Sequence, residues 1–89
     1  MKLFELISEK ELKETVLSEY KRRLILYRLI NERFKKKYGM EFEEFEQNNV
    51  VKEKDFSWEV EKDAMEWEHA VEGIRYTEEM IKKLKESDE

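Results

Sequence analysis

The 89-residue chain has no cysteine, no proline, two glycines and one histidine. The missing cysteines exclude disulfide staples and zinc–thiolate sites. Two isolated glycines, Gly39 and Gly73, cannot build a phosphate-cradling loop. A lone histidine leaves no nucleophile–base constellation to assemble. The longest apolar run is Leu24-Ile25-Leu26-Tyr27, so no membrane-spanning segment is expected. The first residues lack the apolar stretch and small-residue cleavage site of a signal peptide, and the expected location is the cytoplasm. Gln and Asn are scarce beside abundant Lys and Glu, a bias that argues for a thermophilic source.

What is present argues for a single folded domain spanning 1–89. A chain that is 46% charged would be disordered if aromatics were few, but five Phe, four Tyr and two Trp supply a core. With so few helix breakers, long helices are expected. Ser8 and Glu11 form a capping box, with Ile7 and Leu12 placed as its hydrophobic staple. Lys35-Lys36-Lys37 followed by Gly39 reads as a helix end. The first long helix therefore covers residues 9–38, roughly 45 Å of rise. Residues 39–57 form a connector, with a short helix over Glu41–Gln47 ended by Asn48-Asn49. Val50, Val51 and Phe56 are expected to cover the end of the main pair. Ser57 or Asp55 caps the last helix, residues 58–86. The fold class is all-α: a long antiparallel two-helix hairpin with a short connecting helix.

Leu17, Tyr20, Leu24, Tyr27, Asn31, Phe34 and Tyr38 recur at three- and four-residue steps, a coiled-coil-like seam. Val60, Ala64, Trp67, Val71, Ile74, Thr77, Ile81 and Leu84 form the matching stripe. Ala70, Gly73 and Thr77 are small enough to let the helices approach closely. Asn31, the one polar residue of its seam, is the type that sets register and oligomer state. A second apolar face lies opposite each seam. Trp58, Met65, His69, Tyr76 and Met80 fall within about 60° of one another on the last helix. Ile25, Leu26 and Leu29 point away from the seam of the first. A two-helix hairpin would leave both patches in water, which marks them as interfaces. The expected state is a homo-oligomer, a dimer forming a four-helix bundle, with Ile25, Leu26, Leu29 and Asn31 at the interface between copies.

Charge is segregated along the chain. Residues 9–38 carry ten Lys/Arg and five Glu, whereas residues 40–72 carry twelve acids and three Lys. One reading is complementarity within the chain. The other is an acidic surface that draws a basic partner protein. Lys21-Arg22-Arg23 and Lys35–Lys37 are basic, but neighbouring acids and a pI near 5.1 oppose direct nucleic-acid binding.

One motif bears on metals. Glu66 and His69 form Glu-x-x-His, the helical pair that di-iron carboxylate proteins use. With Glu32 or Glu19 as a further ligand, a homodimer could assemble an iron site by symmetry. In length and in that motif the chain resembles encapsulated ferritins, which implies ferroxidase activity as the alternative function.

The strings Lys37-Tyr38-Gly39-Met40, Phe42-Glu43-Glu44-Phe45 and Ser57-Trp58-Glu59-Val60-Glu61, with Asp63 and Trp67-Glu68, resemble small archaeal and bacterial antitoxin-like proteins of toxin–antitoxin gene pairs. The likeness covers residues 37–68. It implies an all-helical protein that binds and neutralises a partner encoded beside it; the acidic stretch leads us to expect a basic, toxin-like partner, and the missing nucleophile constellation partner recognition rather than an enzyme. No DNA-binding module of the kind such proteins carry is readable here. The surface expected to dock this partner comprises Trp58, Glu59, Glu61, Met65, Glu66, Glu68, His69, Tyr76 and Met80, with no cofactor.

Overall fold

A computed structural model describes residues 8–55 and 57–87. The Ile7 half of the expected staple and the expected cover by Phe56 lie outside the described residues. The described residues are 87% helical. Helix α1 runs Glu9–Tyr38, α2 Phe42–Gln47, α3 Val50–Glu53 and α4 Trp58–Glu86. α1 and α4, of 30 and 29 residues, pack side by side as an antiparallel pair.

The helix ends follow local chemistry. The Glu11 amide donates to the Ser8 hydroxyl oxygen at 3.1 Å. The Glu11 carboxylate accepts from that same hydroxyl at 3.2 Å. Gly39 ends α1 in the left-handed region at φ 68°, and its N–H donates to the Lys35 carbonyl. Ser57 caps α4, accepting from the Val60 amide at 3.3 Å. Between them the connector holds one more helical turn than the sequence predicts. Asn49 adopts φ 50° and launches α3, which carries Val50 into the core at 5% exposure.

The core lies at the connector end. Trp67 is fully buried among four rings, with centroids 5.7 Å away for Phe34, 5.8 Å for Tyr38, 5.3 Å for Phe42 and 5.0 Å for Phe45. Val50 and Val60 complete the buried cluster, and Met40, Val51 and Ala64 pack on it. Each seam position named above is buried or half-buried. Gly73 is needed where α4 passes Tyr27, because a Cβ there would sit 2.6 Å from the tyrosine ring. The described residues span 56 × 27 × 16 Å, so the hairpin is one helix layer thick.

Asn31 differs from its expected place at an interface between copies. It sits in the hairpin's own seam, where its side-chain oxygen accepts from the Trp67 indole N–H at 2.8 Å. A buried indole needs such a partner, and across the helix pair Asn31 is the group that reaches it. Asn31→Leu therefore orphans a buried donor and should lower unfolding free energy by about 1–3 kcal/mol. In a Trp67→Phe background the same change should cost clearly less. Urea unfolding of the four chains in this cycle measures the coupling, and equal costs in both backgrounds would show that the bond contributes nothing.

Candidate interaction surface

The outward faces of the two long helices stay exposed. On α4, Trp58 is 75% exposed, Met65 68% and Tyr76 55%. On α1, Leu29 is 62% exposed, Ile25 58% and Leu26 48%. His69 is also exposed, with its ring edge-on to Tyr27 at 5.7 Å, and Tyr76 meets Tyr20 at 6.2 Å. Met80 is half-buried, at the margin of the face rather than on it. These side chains are outward because the seam uses the opposite side of each helix and, among the described residues, no second layer covers the back.

The acidic residues divide into two sets. Glu59 and Glu66 are engaged within the chain, with Lys37 at 3.1 Å and Arg33 at 2.8 Å. Lys35–Glu41 at 2.9 Å and Arg28–Glu78 at 2.8 Å continue this stitching of the basic helix to acidic segments. Complementarity within the chain thus accounts for part of the charge segregation. Glu68 is exposed and Glu61 half-buried, both on the apolar outer face of α4, where they flank Met65.

Asp63, named from sequence only within the antitoxin-like strings and given no site role there, joins this region. It is 9% exposed, and one carboxylate oxygen accepts from Lys37 Nζ and from the Tyr38 hydroxyl, each at 2.6 Å. Burial pushes the Asp63 carboxyl up, but the hydrogen bonds from Lys37 and Tyr38 outweigh it and hold the pKa below its ordinary value. Burial, then the bond to Asp63, pushes the Tyr38 hydroxyl up to about 12. Lys37 is likewise raised, first by its bond to Asp63 and then by Glu59. The available signal was positional: Asp63 falls on the core stripe, four residues before Trp67. Glu72 was also passed over, although it lies one turn from both Glu68 and Tyr76 on the outer face.

The residues proposed for iron do not converge within one chain. Glu66 is held by Arg33, and Glu32 pairs with Lys35 at 3.2 Å, on the other long helix. Among the described residues no group of three or more His, Asp or Glu side chains is placed to hold a metal ion. Among them also, no helix is long and apolar enough to cross a membrane. Comparison with known proteins found no matching family model, no matching curated protein and no matching solved structure.

The Asp63 cluster makes the fold pH-sensitive in a defined direction. A lowered carboxyl pKa stabilises the fold fully above its ordinary value of 3.8, and that contribution is lost as pH falls through the lowered one. The raised Tyr38 pKa acts oppositely, stabilising below pH 10.0 and fading as pH rises toward about 12. Asp63→Ala should cost about 1–3 kcal/mol at neutral pH, and the gap to the wild type should narrow in acid. Urea midpoints of both chains at neutral and acid pH check this. A gap that stays constant would show that the Asp63 charge is irrelevant.

Proposed function

We propose that this protein is a protein–protein interaction module, antitoxin-like in action, which self-associates and binds and neutralises a basic partner protein. The supporting observation is the exposure of Trp58, Met65 and Tyr76 along one face of α4 in a hairpin whose seam is already closed. Exposed apolar surface on this scale is a cost in water unless another chain covers it. Trp58 and Tyr76 are residue types that anchor interfaces, being large and carrying few rotatable bonds. Glu61 and Glu68 flank them, and Glu59 and Glu66 become available if a basic partner displaces Lys37 and Arg33. In this scheme the buried aromatics hold the complex, while the acids speed encounter and select for a basic surface. Ile25, Leu26 and Leu29 serve self-association, in the form of a dimeric four-helix bundle. The iron reading would require Glu66 and Glu32 to leave their present cationic partners, and no observation favours it.

Trp58→Ala tests the proposal. Trp58 contributes little to the hairpin's own packing, so helix content by circular dichroism should be unchanged. Binding to the product of the neighbouring reading frame, co-expressed and co-purified, should weaken by about 2–4 kcal/mol. Undiminished co-purification after both Trp58→Ala and charge reversal at Glu61 and Glu68 would eliminate this surface.

A further inference from the structure

The hairpin is closed at one end and open at the other, and we infer that residues 1–7 fold back into the groove at the open end and cover it. This contact lies away from the outward faces and stands apart from the partner reading. At the connector end, α2 and α3 place Phe45 and Val50 in the buried cluster. At the opposite end, where α1 starts and α4 finishes, the seam has no such cover among the described residues. Leu12, Leu17 and Leu84 are half-buried there, and Val16 is 37% exposed. These four side chains line a groove of about 780 Å³, with Glu9, Lys10 and Glu14 at its rim. Lys13 Nζ donates to the Ser87 carbonyl and holds the last turn of α4 against α1, so both helices supply walls. Apolar side chains facing such a hollow lack partner atoms on their open side.

The chain carries a segment that matches. Residues 1–7 read Met-Lys-Leu-Phe-Glu-Leu-Ile, five apolar side chains in seven, and they join α1 at the rim of the groove. Ser8 is extended, and its hydroxyl accepts from the Glu11 amide. In that geometry the residue before the cap packs back onto the fourth residue of the helix and fixes the angle at which the chain enters. Here the pair is Ile7 and Leu12, and Leu12 belongs to the groove wall. The segment is thereby aimed along α1 over the groove. Val16 stands about 12 Å of helix rise beyond Ser8. Four extended residues cover about 13 Å, so Phe4 comes level with Val16. Covalent attachment gives residues 1–7 a high effective concentration at the groove, which favours them over a second copy or a free partner. They do at the open end what α2 and α3 do at the connector end.

Pairs of cysteines in the full, otherwise cysteine-free chain test this contact. Phe4→Cys is combined with either Val16→Cys or Ser18→Cys. Positions 16 and 18 have nearly equal height on α1 but lie on roughly opposite sides, because two residues turn a helix through about 200°. Both positions are exposed, so neither substitution should disturb the hairpin, which circular dichroism checks. An undocked segment would bridge to the two positions at similar rates. Under mild oxidation the docked segment should bridge within the chain to position 16 roughly tenfold or more faster than to position 18. Adding Leu3→Ser and Leu6→Ser should return the two rates to parity. Equal rates without those two changes, or no bridge at either position, would overturn the inference. A bridge that forms between chains and quickens with protein concentration would assign the groove to a second copy and overturn it as well. A preference for position 16 that survives Leu3→Ser with Leu6→Ser would contradict apolar docking as its cause.

Discussion

A pair of helices one layer thick can dry only the stripe along which the two touch. Everything distinctive about this protein follows from that constraint. At the connector end the stripe is strong: the Trp67 indole is enclosed by four rings, and its one polar atom is satisfied by Asn31. The short helices α2 and α3 bring Phe45 onto that indole and Val50 into the same buried cluster, building a core out of a connector. Elsewhere the seam is narrower, with Leu17, Tyr20, Ile81 and Leu84 only half-buried. Among the described residues nothing covers the backs of both helices, yet they carry tryptophan, tyrosine, methionine and leucine.

Electrostatics acts at two levels in the same molecule. Lys37, Arg33 and Arg28 reach across from α1 to α4, reinforcing the antiparallel pairing that the apolar seam selects. Most of these pairs are solvent-exposed, so they specify alignment more than they stabilise it. Asp63 is the exception, a nearly buried carboxylate held by two donors where α1 ends and α4 begins. On the outward faces Arg33 is held by Glu66 and Arg22 by Glu19, while Lys36, Lys62, Glu68 and Glu72 are exposed.

The sequence was legible where periodicity carried the information. Three- and four-residue steps locate both long helices and the apolar seam, and of the residues they place opposite, Ile25, Leu26, Leu29, Trp58, Met65, His69 and Tyr76 are exposed while Met80 is half-buried. Gly39 and Ser57 mark ends because one tolerates a left-handed backbone and the other caps amides. Helix α3 was not legible, since four residues carry no period and its start depends on Asn49 taking φ 50°. The role of Asp63 was hidden because a charged side chain at a core position declares its partners only in three dimensions. Asn31 shows the same limit: its place in the seam was visible, but its bond to Trp67 required knowing which residue of α4 stands opposite.

The central claim, that another chain covers the outward faces, can be tested through the contrast between the two tryptophans. Trp67 is sealed in the hairpin at 0% exposure, whereas Trp58 is open at 75%, so any indole fluorescence quenched by acrylamide reports on Trp58. The account predicts that this quenchable fraction is large at high dilution and shrinks as protein concentration rises or a binding partner is added. A Trp58 signal that remains fully quenchable under all of those conditions would contradict it.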